Sequence, residues 1–269
     1  MARLAGRLRH GLPQGLAREV ALVAAAMLAY FFVRNLTVGG SEEAFANAER
    51  IVDLEQWAHI GWEDGVQESI VGSDLLVMLA NWIYIWGHWP VILSTAIALY
   101  LYRPDRYYLL RNALFVSGAI GFLFFALFPV APPRLLDLGL VDTVTEQSQA
   151  YRALQPPGLT NQFAALPSLH LGWNVLVGIV LLTATAHVAV RLFAVASPLA
   201  MGFAVIATAN HFVVDVAAGI VVVLVGLAAA YAMEEKRGVA TLVDSGSHAR
   251  AELSRKRAAP VPRRAPRRQ

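Results

Sequence analysis

The chain has 269 residues, of which 57% are hydrophobic and 15% charged, with a formal net charge of +3. A soluble domain carries roughly 25% charged residues, so the composition excludes an ordinary soluble fold and indicates a membrane protein with several spans. The absence of cysteine excludes disulfides, thiolate metal centres and cysteine nucleophiles.

Residues 1–17 form a short N-terminus with Arg3, Arg7 and Arg9. Apolar runs near 20 residues can span a bilayer, and six occur, at about 18–38, 74–102, 108–130, 168–186, 189–209 and 211–232. The expected fold is all-α, a polytopic membrane helical bundle with six transmembrane helices over residues 18–232. No clear small-x-small cleavage site follows the first run, so it reads as an anchor rather than a signal peptide. The second run is long, and Pro90 in "GHWPVI" is its expected kink.

Two segments between runs are long. Residues 41–73 contain "EEAFANAERIVDLEQWAHIGWED", with Ala44, Ala48, Ile51, Leu54, Trp57 and Ala58 at helical spacing. This predicts an acid-rich amphipathic helix on the outer membrane surface. Residues 131–166 form a loop opening with "APPRLL", of a length usually functional or disordered. Residues 233–269, ending "RKRAAPVPRRAPRRQ", hold both lysines, Lys236 and Lys256. With little to bury, this tail is expected to be disordered and to lie on anionic lipid headgroups. No aromatic residue is interleaved with its arginines, which argues against nucleic acid as a partner.

Arginine placement sets the orientation. Arg103, Arg106, Arg111, Arg191, the N-terminus and the tail fall on one side, and Arg34, Arg50, Arg134 and Arg152 on the other. The arginine-rich side is cytoplasmic. The expected location is the plasma membrane, with both termini inside and segments 41–73 and 131–166 outside.

Ionisable groups inside apolar runs are functional candidates by default. Asp215, in "ANHFVVDVAAG", is the only acid beyond the first two residues of such a run, and His211 lies four residues before it. Positions i and i+4 share a helix face, so Asp215 can hold one ring nitrogen of His211. Ser168 and His170 open the fourth run in "LPSLHLG", and Arg134 follows the third. All of them fall at the extracytoplasmic end. This set of groups suits phosphoryl transfer. His211 would attack phosphorus, Asp215 would stabilise the ring charge and His170 would protonate the leaving oxygen. Arg134, Ser168 and the amides after Pro167 would hold phosphate oxygens.

Other readings of these residues are weaker. Two histidines and an aspartate could ligate a metal, but no HExxH pattern is present, and neither metal nor other cofactor is expected. Ser168 with His170 lacks the GxSxG elbow of a serine hydrolase. His88 and His187 read as interfacial histidines. Asn81, Tyr84 and His88 read as packing residues of the second run, with lining of a lipid pocket, by Tyr84 above all, as the alternative.

"LPSLHLG" with "NHFVVDVAAG" resembles the type 2 phosphatidic-acid-phosphatase superfamily, over about residues 74–232. "APPRLL", "PSLH" and "HFVVD" are most similar to the branch containing inositol-phosphorylceramide synthases. The resemblance implies phosphate binding by Arg134, an acid role for His170, a nucleophile in His211 and its partner in Asp215. Ala204 and Val205 stand where the phosphatase third motif has Ser-Arg, and Pro132 and Pro133 precede Arg134. Arg152 is the candidate substitute cation. The expected function is a lipid phosphotransferase working through a phosphohistidine on a phospholipid or other lipid phosphate at the extracytoplasmic leaflet. The alternatives are a phosphatase of lipid phosphates or polyprenyl (pyro)phosphates and, outside enzymes, an inactive lipid-binding or transport protein.

Overall fold

The computed structural model describes residues 15–36, 41–147 and 161–258. These form ten α-helices and one 3-10 turn, and no strand occurs among the described residues. In chain order the helices are α1 (Leu16–Leu36), α2 (Ser41–Ala58), α3 (Glu63–Val71), α4 (Asp74–Trp86) and α5 (Trp89–Tyr102). Then come α6 (Pro104–Leu127), α7 (Thr143–Gln147), α8 (Leu169–Ala184), α9 (Val188–Ala207) and α10 (Val213–Ala258).

The expected all-helical architecture is present, with three to four candidate spans among the described residues. Among the described residues α6, α9 and the first 24 residues of α10 are long and apolar enough to cross a bilayer, and α4 with α5 adds a bent pair. α8 has 16 residues, or about 24 Å at ~1.5 Å per residue, short of a ~30 Å hydrocarbon core. The first expected span is helical as α1. The second breaks where the proline predicted a kink. Pro90 is in the first turn of α5, and the two halves meet at 44° across Gly87 and His88. Residues 259–269 of the tail lie outside the described residues, and α10 continues past residue 232 to Ala258. That stretch is rich in Ala, Glu, Lys and Arg, all strong helix formers, and its prolines begin only at Pro260.

α8 lies at the centre of the bundle. Leu169, Trp173, Leu176, Val177 and Val180 pack with Leu109, Leu110 and Ala113 of α6 and with Val223 and Leu227 of α10. A buried carboxylate fixes α1, as both Glu19 oxygens lie 2.7 Å from Arg111 of α6.

The α8–α10 crossing positions the candidate site. A Cβ on Gly219 would lie 2.3 Å from the backbone oxygen of Ser168, and one on Gly172 2.7 Å from the oxygen of Gly219. Small residues let helix backbones approach this closely. The Ser168 N–H also donates to the Asp215 carbonyl at 2.9 Å. Gly219→Ala should therefore force the helices apart, at a cost of about 1–3 kcal/mol for overpacking. The thermal midpoint of purified protein in detergent should fall. An unchanged midpoint would show that the crossing has slack.

The amphipathic helix expected in 41–73 forms as α2, but with a different inner face. Ala44, Asn47, Ala48, Ile51 and Glu55 are buried, while Leu54 and Trp57 are exposed. The inner face packs on Val130, Ala131, Ala165 and Phe212. Ala131 donates to the Ala44 carbonyl at 3.0 Å, and Asn47 donates to that of Pro129 at 2.9 Å.

Candidate active site

The loop between α9 and α10 carries His211. Thr208 closes α9 by donating its hydroxyl to the Ala204 carbonyl at 2.7 Å. Ala209 then turns the chain with φ +52°, a left-handed conformation costing about 1–2 kcal/mol without glycine. Neighbouring contacts hold the turn. The Ala209 carbonyl accepts from the Arg134 N–H at 2.9 Å, and the N–H groups of Asn210 and His211 both donate to Val205 at 3.1 Å.

His211 is buried, and its Nδ1 lies 2.8 Å from the Ala165 carbonyl. A carbonyl can only accept, so Nδ1 carries the proton and Nε2 keeps its lone pair. Asp215 is fully buried, with Oδ2 3.5 Å from the same Nδ1. The aspartate was expected to hold the ring directly. The carbonyl is the closer contact, and the carboxylate lies within ion-pair distance of the same nitrogen.

The start of α10 is capped from three directions. Asp215 accepts the Phe212 N–H at 2.8 Å, reaching back as the third residue of a capping box does. Glu63 of α3 accepts from Val213 at 2.7 Å, and Glu55 of α2 accepts from Val214 at 2.7 Å.

α8 presents His170, with its ring centroid 6.0 Å from that of His211. A phosphorus about 3 Å from one ring nitrogen, with its leaving oxygen about 2.8 Å from the other, fits such a span. The Tyr84 ring stacks on His170 at 4.6 Å. Ser168 is the N-cap of α8 and fully buried. Its hydroxyl faces the Leu171 N–H at 3.5 Å, long for a hydrogen bond, so its placement is that of a helix cap. Arg134 lies in the 3-10 turn Pro133–Leu135. Its Nη1 donates to Asn210 Oδ1 at 2.6 Å, and its Nε is 3.2 Å from Asp142.

The structure thus brings together Arg134, Ser168, His170, His211, Asp215 and Tyr84, while Arg152 lies outside the described residues. Two neighbours, Asn210 and Asp142, are absent from the sequence reading, and a third, His88, takes its pocket-lining alternative. Asn210 orients Arg134, and its sequence signal was adjacency to His211. Asp142 pairs with Arg134 from the outer loop, with no signal of its own. His88, read as interfacial, is buried with its ring 4.3 Å from His170 and stacked on Trp173 at 5.6 Å. The break between α4 and α5 turns it inward. Asn81 is a packing residue, donating to the Thr143 carbonyl at 2.9 Å. Ala204 and Val205 are fully buried in an apolar cluster with Tyr84, Leu171 and Met201.

Residues 49–229 match the model of the PAP2 superfamily. The crystal structure of Aquifex aeolicus LpxE superposes with a TM-score of 0.51 at 15% identity, covering 63% of this chain and 92% of that one. That likeness is one of fold. No curated protein matches the sequence.

Proposed function

The chain belongs to the PAP2 superfamily and is a phosphatase or phosphotransferase of lipid phosphates, and within that class we propose that it transfers a phosphorylated head group between lipids through a phosphohistidine. The observation that carries this reading is His211, with Nδ1 held 2.8 Å from the Ala165 carbonyl and its ring facing His170. His211 Nε2 attacks phosphorus. The bond from phosphorus to the leaving oxygen breaks, and that oxygen takes a proton from His170. Asp215 stabilises the positive ring. An acceptor hydroxyl then attacks phosphorus and gives its proton to the now neutral His170, while the bond from phosphorus to Nε2 breaks and returns its electron pair to His211. Arg134, oriented by Asn210, neutralises the phosphoryl oxygens, and the helix start at Ser168 adds its dipole.

Transfer is favoured over hydrolysis by dryness. An acceptor alcohol competes with water only where the pocket excludes water. Ala204 and Val205 contribute apolar surface beneath the loop, and Tyr84 and His88 pack around His170. This fits the branch containing inositol-phosphorylceramide synthases. The test is to incubate purified protein with a labelled phospholipid, with and without inositol-bearing or long-chain alcohol acceptors. A labelled new lipid is expected only when an acceptor is present. Free phosphate or free phosphorylated head group as the sole product, whatever the acceptor, would make the protein a phosphatase of lipid or polyprenyl phosphates.

The site lies at the extracytoplasmic leaflet of the plasma membrane, with both termini inside and the basic tail on anionic headgroups. The arginine bias supports this orientation. Trp57 and Trp62 on the outer helices, 80% and 59% exposed, suit the headgroup region where tryptophan concentrates. The chain offers no native cysteine to interfere with labelling. Asp137→Cys should react with an impermeant thiol reagent on intact cells, and Ser245→Cys should not. The reverse pattern would move the site to the cytoplasmic leaflet.

A further inference from the structure

We propose that Glu55 and Glu63 form a proton-sharing carboxyl pair that positions the nucleophile helix from the outer membrane surface. The inference rests on the phosphohistidine reading and makes Glu55 of α2 and Glu63 of α3 positioning residues that act through the start of α10. Both side chains are buried, 2% and 8% exposed. Each accepts one of the successive N–H groups that open α10, Val214 to Glu55 and Val213 to Glu63, at 2.7 Å. The same two turns of helix carry Asp215, with His211 just before them. Without these caps the first amides of α10 would be buried and unpaired, which costs about 1–3 kcal/mol each.

The two buried carboxyls cap neighbouring amides, and among the described residues no cation pairs with either, so a proton held between them is what lets two acids lie side by side out of water. Burial, with the Glu63 charge adding to it, pushes the Glu55 carboxyl up from 4.5 to about 8. Glu55 then carries the proton of the pair at neutral pH. Among the described residues the titratable group facing the pair is Asp215, in the first turn of α10. Asp215 adds a further negative charge in the same direction. As pH rises through about 8, the shared proton leaves. Two carboxylates then repel across adjacent amides, and a second negative charge appears beside a site that must bind a phosphate.

The sign of the stability effect follows from the raised value. The stabilising contribution of the Glu55 proton is complete below about 4.5, declines above it and is gone once the pH passes about 8. Turnover, which needs the folded site with its proton in place, falls around the upper value only.

The experiment compares full-length protein with Glu55→Gln, Glu55→Ala and His211→Ala. It reads turnover of labelled phospholipid and the thermal midpoint from mildly acid to alkaline pH. Glutamine keeps an acceptor for Val214 and a donor for Glu63, but cannot lose the proton. Glu55→Gln should stay within about threefold of the parent at neutral pH, lose the alkaline fall in turnover and flatten the slope of the midpoint. Glu55→Ala should lose more than tenfold in turnover per folded molecule. An unchanged alkaline limb in Glu55→Gln, or full turnover in Glu55→Ala, would overturn the pairing. A fully active His211→Ala would instead overturn the phosphohistidine reading, while the midpoint profiles of the Glu55 variants would still judge the pair.

Discussion

His211→Ala should lower turnover by about 10⁴-fold or more while leaving the fold intact. The ring makes one close polar contact, with the Ala165 carbonyl at 2.8 Å, so its loss leaves a single acceptor unpaired. The chemistry has no substitute. His170 lies 6.0 Å away between ring centroids, too far to take over attack from the same side. Asp215→Asn should be less severe, at about 10²–10³-fold. The Ala165 carbonyl keeps the proton on Nδ1 whether or not residue 215 is charged, so tautomer control survives the substitution. What disappears is the fixed negative charge behind the imidazolium. The ordering of the two variants, measured as single-turnover rates on one phospholipid, checks this division of labour. Asp215→Asn as inactive as His211→Ala would mean that the aspartate controls the tautomer after all.

The second large effect is that of His170→Ala, about 10²–10⁴-fold on lipid substrates with a poor leaving group. Removing the acid should spare attack on an activated phosphoester, whose leaving oxygen departs without a proton. The second step still needs a base for the incoming hydroxyl. Phosphorylated enzyme should therefore accumulate. The label should be acid-labile and base-stable, as phosphohistidine is, and absent from the His170→Ala, His211→Ala double variant. Failure of any label to appear with an activated substrate would remove His170 from the acid–base role. The neighbouring rings make this variant informative. Tyr84 and His88 pack on His170, and a rescue of turnover by free imidazole would show that the vacated space remains open.

Much of the scaffold was legible because membrane helices announce themselves by length and apolarity. The helices α6, α9 and α10 lie where the apolar runs do, and Pro90 marked the bend in the second run. The number of crossings is less legible, since a run expected as a full span folds into a helix of 16 residues at the centre of the bundle. The phase of α2 was misread for a related reason. Leu54 and Trp57 are apolar and were expected inside, yet they face outward, because Glu55 takes the inner position to cap α10. Periodicity cannot tell which acid of an acid-rich helix has a partner 159 residues away.

The candidate site shows the same division. His211 and Asp215 stood out as local spacing, and Ser168 with His170 as polar residues at the mouth of a run. Arg134 was found by its place after a run. Asn210 and Asp142, which hold Arg134, were not legible, and His88, which packs on His170, was legible only as an alternative. Their roles depend on the close crossing of α8 and α10, on the turn at Ala209 and on the break between α4 and α5. Those are tertiary events, and no window of sequence contains both partners.

The α8–α10 contact also bears on how lipid choice could change. The interval between His170 and His211 is fixed by main chain against main chain, at Gly219 and Ser168, and not by the side chains that surround the lipid. A phosphoryl group has the same dimensions in every phospholipid, so a jaw of constant gape suits all of them. Side chains on the bent α4–α5 pair and the outer loop can then vary to fit different tails and head groups without altering the reach between acid and nucleophile. Substrate preference and chemical competence are set by separate parts of the molecule and can be redesigned separately.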